Sequence, residues 1–381
     1  MKKKILASLL AGALTVSMLA GCAGNPDKGS KDSSDSGDKS GLNICILTAD
    51  GTIDDGSYNE NCYDGIVDFI DENPDATVKE VNTADLSQCI QAVQDTIADY
   101  DVLVLPGYNF AAIGEIAADN PDKDIILVDS AVTNSDGTEV ELDNVYSMTF
   151  TEQESGFLAG IAAALETKTG KVAVVNGIAY PSNTNYQFGF ESGVAYANAK
   201  YGSSAELVEL PSYAGTDMNG ENVGGNYIGS FSDVATGKVI GDTLIDQGVD
   251  IIFVAAGAGG MGVFTSAKES TDAKVIGVDV DQYDDGVNGD SNIILTSALK
   301  KMDVVVYNEL NLIKEGKFEG KNEILSSSTD SVGIVTEEGR QQLSQGTIDK
   351  LNESYDLMKE GTVVPASGDN GYTPDDFPGL K

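Results

Sequence analysis

Residues 250–264 read Asp-Ile-Ile-Phe-Val-Ala-Ala-Gly-Ala-Gly-Gly-Met-Gly-Val-Phe. The run from Asp250 to Val254 is apolar without alternation, the pattern of a parallel strand buried on both faces. Gly257 to Gly262 then satisfies G-x-G-x-x-G between a strand and a helix, and Asp279 ends the strand that follows. That spacing admits three readings: a dinucleotide fingerprint, close approach of the backbone to some other ligand, or plain turn packing. A dinucleotide site belongs at the first strand of its lobe, whereas this motif lies deep within a series of strands, so close backbone approach to another ligand fits it best.

The same pattern recurs outward in both directions. Upstream, residues 43–47, 101–105 and 124–129 are continuous apolar runs, separated by helical stretches at 59–72 and 86–99. A second series follows 144–150, with strands predicted at 171–175, 205–210, 250–254 and 274–278. Residues 293–299 are strand-like, and the helix predicted over 302–315 returns to the first series. Strand-helix-strand repeats of this kind make doubly wound sheets with right-handed crossovers. The predicted fold is therefore α/β, two doubly wound parallel-sheet lobes joined by a hinge. The lobes comprise 42–149 plus 300–326 and 150–299 plus 327–381. Ligands of such a clam shell sit at the carboxyl ends of the strands, where the lobes face each other.

Composition narrows the function. The 381 residues carry 61 Asp and Glu against 23 Lys and Arg, a formal charge of -38, which repels phosphate backbones and makes nucleic acid a poor partner. No His is present, so Ser-His-Asp and Cys-His nucleophile activation and His-liganded zinc are excluded. Cys22, Cys45, Cys62 and Cys89 have no C-x-x-C spacing, and no metal or cofactor site is legible. Without Cys22 the remaining three read as buried free thiols rather than a disulfide framework. The acidic stretch 279–290 fails as a calcium loop, because Tyr283 and Asn292 stand where ligating carboxylates belong.

The first residues are an address. Lys2, Lys3 and Lys4 precede an apolar run over 5–20 that is short for a bilayer span, the layout of a secretory signal. Residues 1–21 are read as a signal peptide and 22–41 as a polar tether too poor in apolar residues to fold. Leu19-Ala20-Gly21-Cys22 resembles the bacterial lipobox, which implies a lipid on Cys22 and a cell-membrane location at the extracytoplasmic face.

Beyond the strands lie polar and small residues: 54–59 (Asp-Asp-Gly-Ser-Tyr-Asn), 106–109 (Pro-Gly-Tyr-Asn), Asp129-Ser130, Asn176-Gly177 and 279–282 (Asp-Val-Asp-Gln). Helix capping alone accounts for such residues at many strand ends. Taken in order, however, 54–59, 154–160, 229–233, 255–264, 276–282 and 296–301 resemble the motifs of the basic membrane protein family, the PnrA-like purine nucleoside-binding lipoproteins that feed ABC importers. The resemblance spans about 43–365 and implies a type I periplasmic-binding-protein fold, no enzymatic activity, no cofactor, a nucleoside ligand, an ABC permease partner and a monomer. It implies that Tyr58 stacks on the base, with Phe231 the opposing aromatic. It also implies that Asn59 and Asp129 meet polar atoms of base or sugar, and that Asp279 and Lys300 meet the ribose hydroxyls. Gly257 would approach the ligand through its backbone. Tyr58 stands where the family usually has Phe, and Glu60 where Gln is common, which bears on the preferred base. The stretch 216–225, rich in Gly and Asn, is expected as a rim loop. A sugar or small-signal receptor of the same fold, serving a sensor or partner protein, is the alternative.

Overall fold

A computed structural model describes residues 41–381. The signal segment, Cys22 and the tether up to residue 40 lie outside the described residues. In chain order the first sheet begins with β1 (Asn43–Ala49), α1 (Tyr58–Glu72), β2 (Thr77–Thr83), α2 (Cys89–Thr96), β3 (Val102–Pro106), α3 (Gly114–Asp119), β4 (Asp124–Val128) and β5 (Val145–Phe150). The chain then enters α4 (Glu152–Glu166), β6 (Lys171–Asn176), α5 (Pro181–Tyr196), β7 (Glu206–Leu207), α6 (Val234–Asp246), β8 (Ile251–Ala255), α7 (Met261–Glu269), β9 (Lys274–Asp279) and β10 (Ile294–Lys300). It closes with α8 (Met302–Lys314), β11 (Lys321–Leu325), β12 (Val332–Ile334) and α9 (Gln345–Lys359).

The first sheet has the order β11-β5-β4-β3-β1-β2, with every pairing parallel. The second has the order β12-β10-β9-β8-β6-β7 and is parallel except at β12, which runs antiparallel to β10. The central strands are covered on both faces: Ile44, Ile46, Val104 and Ile126 belong to one apolar cluster of the first sheet, Leu47, Leu103, Leu105 and Leu127 to another. That double burial is why these strands read as unbroken apolar runs. The chain crosses between sheets after Phe150, after Lys300 and after Leu325, and α8 packs into the first core through Met302, Val306, Leu310 and Ile313.

Two helices fix one wall of the second lobe. In α4, 11 residues are buried, as expected of a helix apolar around most of its girth. It meets α5 at backbone distance: a Cβ on Gly160 would lie 2.1 Å from the Phe190 carbonyl oxygen, and one on Gly193 2.1 Å from that of Phe157. Alanine at either position would push the helices apart.

Some local expectations change. Residues 86–99 form short 3-10 turns on either side of α2 rather than one regular helix. The strand expected over 205–210 pairs only at Glu206–Leu207, against Lys171 and Val172 at the sheet edge, and Pro211 starts a 3-10 turn soon after. The stretch 216–225 contributes to a small hairpin, Gly215–Thr216 with Asn222–Gly224, and none of its residues lines the cleft described below. Cys45, Cys62 and Cys89 are buried and free. Burial pushes the Cys45 thiol up to about 12 and that of Cys89 to about 11, which leaves them inert near neutral pH.

Candidate ligand-binding site

The carboxyl ends of both sheets face one cavity that opens between them. The first lobe supplies the ends of β1 (Ala49, Asp50), β3 (Pro106 to Asn109) and β4 (Asp129), and the start of α1 (Asp55, Tyr58, Asn59). The second supplies the ends of β8 (Ala255, Gly257), β9 (Val278, Asp279) and β10 (Lys300), the start of α5 (Tyr180, Ser182, Asn183, Tyr186) and Phe231. Tyr58, Asn59, Asp129, Phe231, Gly257, Asp279 and Lys300, dispersed over more than 240 positions of sequence, thus border a single space.

Three strand-end aspartates project from a left-handed backbone: Asp50 at φ 47°, Asp129 at φ 63° and Asp279 at φ 65°. Among the described residues only one further non-glycine, Asp330, has positive φ. Asp tolerates this conformation better than most side chains, and backbone strain of this kind gathers at functional sites.

At the base of the cleft lies a buried charge cluster. Lys300 is 1% exposed; its Nζ donates to Asp129 Oδ2 and, at 3.1 Å, to Glu152 Oε1. Burial opposes the charge on Lys300, but Asp129, Glu152 and Asp279 outweigh it and hold the ammonium above its ordinary range. One ammonium does not neutralise three carboxylates. Burial pushes the Glu152 carboxyl up to about 7 against the pull of Lys300, with the charge of Asp129 adding to the rise. Burial likewise raises Asp279, partly offset by Lys300 and by hydrogen bonds from Ser57 Oγ at 2.8 Å and Tyr186 Oη at 3.0 Å. The Lys300 ammonium also lies 5.2 Å from the ring centroids of Tyr58 and Phe150.

The start of α1 orients the neighbouring polar atoms. Asp55 accepts from the amides of Ser57, Asn59 and Glu60 at 3.0 to 3.2 Å, satisfying donors that the helix itself leaves unpaired. Asn59 Nδ2 donates to Asp55 at 2.9 Å, which fixes the amide and turns Oδ1 away from Asp55. Asn59 Oδ1, Asp129 Oδ1 and the Tyr58 hydroxyl are buried without a well-formed hydrogen bond among the described residues. A buried acceptor without a donor is costly, so Asn59 Oδ1 marks where a ligand with a hydrogen-bond donor would be held, while the Tyr58 hydroxyl faces Asp129 and can donate as well as accept.

The mouth is aromatic. Tyr108 of the first lobe and Tyr180 of the second have ring centroids 5.6 Å apart, and Tyr180 lies 6.0 Å from Phe231. Tyr180 Oη donates across the cleft to Asn109 Oδ1 at 3.0 Å. Further bridges between the lobes run from Gln282 Nε2 to the Gly56 carbonyl at 2.9 Å and from the 230–232 turn to Asp50.

The sequence reading names none of Asp50, Tyr180, Tyr186 and Glu152, and gives Tyr108 only among the residues beyond the strand at 101–105. Asp50 follows a strand as Asp129 does, a signal that was there to use. Glu152 has no such signal, since it reaches Lys300 only because the start of α4 crosses beside the end of β10.

Among the described residues no helix is long and apolar enough to cross a membrane. A family model described as ABC transporter substrate-binding protein PnrA-like matches residues 43–208 and 217–367. The ABC transporter nucleoside-binding protein BmpA of Lactococcus lactis subsp. cremoris is 30% identical over 341 residues, covering 84% of this chain and 87% of that protein. Basic membrane protein A of Borreliella afzelii is 31% identical over 293 residues, covering 75% of this chain and 80% of its own. Among solved structures, an ABC transporter solute-binding protein from Aeropyrum pernix K1 superposes with a TM-score of 0.72 at 23% identity, covering 87% of this chain and 94% of that one, a likeness of fold. The chain belongs to the PnrA-like family of ABC transporter substrate-binding proteins.

Proposed function

We propose that this chain captures a nucleoside, foremost a purine nucleoside, between its lobes and presents it to an ABC permease, as a monomer held at the outer face of the cell membrane by a lipid on Cys22. The observation that carries the ligand class is the pairing, in one cavity, of aromatic faces with the unpaired buried acceptor Asn59 Oδ1 and the Asp129 carboxylate. A nucleoside has a flat base for the first and hydroxyl or N–H donors for the second. Tyr58 and Phe231 are assigned to the base, Asn59 and Asp129 to its polar atoms or those of the sugar, and Asp279 with Lys300 to the ribose hydroxyls. Gly257, at φ 50°, brings its backbone to the wall beside Phe231. The name of the Lactococcus relative supports the same ligand class. The lipid anchor is supported by the lipobox pattern at 19–22 and the polar stretch behind it.

A thermal-shift screen of ribonucleosides, 2′-deoxynucleosides and monosaccharides tests the ligand class. Stabilisation by purine nucleosides and not by sugars is expected, because a ligand that binds only the native state raises its melting temperature. Stabilisation by sugars alone would replace the nucleoside with a carbohydrate. For the anchor, Cys22→Ala should leave ligand binding intact while releasing the protein from membranes or blocking its processing. A variant that remains membrane-bound would require another attachment.

A further inference from the structure

The turn 229–233, Gly-Ser-Phe-Ser-Asp, lies in the second lobe just ahead of α6, which Asp233 caps by accepting from Thr236 N at 3.0 Å. Gly229 N donates within the second lobe to the Gly177 carbonyl, and Ser232 N to Ser230 Oγ, while three other donors of the turn reach the first lobe. The Asp50 carboxylate accepts from Phe231 N at 2.7 Å, from Ser232 Oγ at 2.7 Å and from Ser230 Oγ at 3.1 Å. One amide and two hydroxyls around a carboxylate form a small anion nest, and such charge-assisted bonds are stronger than neutral ones. The same turn is held from behind. Phe231 O accepts from Gly259 N at 2.7 Å, and the ring lies so close to Gly177 that an added Cβ there would meet ring carbons at 2.3 Å. Asp50 and Phe231 border the cavity, whereas Ser230 and Ser232 do not.

We infer that Asp50 is a positioning residue whose docking in the 230–232 nest is the clasp that completes lobe closure and fixes Phe231 against the ligand. The inference rests on capture between the lobes as proposed above and adds where the closed state is held. A clasp that forms only when the lobes meet slows the escape of ligand and leaves its entry nearly untouched, so its signature is in the dissociation rate.

Stopped-flow binding of guanosine to the full chain, the Ser230→Ala/Ser232→Ala variant and Asp50→Asn tests this. Asn accepts the left-handed backbone that Asp50 adopts, so the second variant removes charge without adding strain. Loss of even one charge-assisted hydrogen bond corresponds to about a tenfold faster dissociation. Both variants should show at least that change with association little altered, while Ser232→Thr, which keeps the hydroxyl, should behave as the parent. Parental dissociation rates in the double-alanine variant would overturn the clasp. A parent that binds no guanosine would instead refute the nucleoside reading, and ligand-free scattering then decides: the clasp predicts a larger radius of gyration for the double-alanine variant than for the parent, and equal radii would overturn it.

Discussion

The base and the mouth of the cleft are built on different principles. At the base, Asp129, Glu152 and Asp279 are buried around Lys300, whose ammonium alone offsets their mutual repulsion and is in turn held charged by them. At the mouth, Tyr108, Tyr180 and Phe231 supply apolar faces, and the bonds across it, Tyr180 to Asn109 and Asp50 to the 230–232 turn, join groups on opposite lobes that separate when the lobes part. The base sits beside two of the three crossings between the lobes, at Phe150 to Glu152 and at Lys300, where the geometry changes least on hinge motion. On the proposed function, the contrast teaches that the charged groups assigned to polar ligand atoms sit beside the crossings, while the aromatic wall sits at the mouth.

The largest effect should come from breaking the base. Lys300→Met leaves two buried carboxylates without their counter-ion and should cost about 3 to 5 kcal/mol of stability. Denaturant unfolding measures this; a variant as stable as the parent would mean that the cluster is not held by charge. The same cluster governs a pH effect of known sign. Because burial raises the Glu152 carboxyl from 4.5 to about 7, its contribution to stability is full below the ordinary value and is lost as pH rises through about 7. Stability of the parent should therefore decline across that window, and Glu152→Gln should flatten the decline. An unaltered slope in Glu152→Gln would remove the group from the account.

Next in size is Asp279→Ala, expected to lose about 2 to 4 kcal/mol of nucleoside binding and to narrow the gap between ribo and 2′-deoxy ligands. Tyr58→Ala should lose roughly 1 to 3 kcal/mol of stacking and weaken both ligands alike, so calorimetry with inosine and 2′-deoxyinosine separates the two roles. The smallest change is at the mouth: Tyr180→Phe deletes one bridge to Asn109 and should cost about 0.5 to 1.5 kcal/mol in affinity. A loss of affinity as large as that of Asp279→Ala would erase the distinction between the two regions.

The same two principles explain what could be read from the chain alone. β3 and β4 are buried on both faces and so advertise themselves as unbroken apolar runs. β2, Thr-Val-Lys-Glu-Val-Asn-Thr, and β11, Lys-Asn-Glu-Ile-Leu, lie at the two edges of the first sheet, half exposed and polar, and gave no such signal. In the cleft, residues just past a strand were findable because topology places every carboxyl end there. Partnerships were not. Asp129 and Lys300, assigned by resemblance to different parts of a nucleoside, contact each other directly, and Glu152 joins them from a helix start with no local sign of its role. Nor does anything near Asp50 announce that its carboxylate docks 180 residues further along the chain.

The most direct measurement is a calorimetric titration of the purified protein with a purine nucleoside, its free base and ribose, side by side. If base and sugar are held by separate regions of one closed cleft, the nucleoside should bind at single-site stoichiometry, tighter than ribose and about 30- to 700-fold tighter than its free base, the factor that ribose bonds of about 2 to 4 kcal/mol supply. Ribose binding as tightly as the nucleoside, or no nucleoside binding at all, would contradict it.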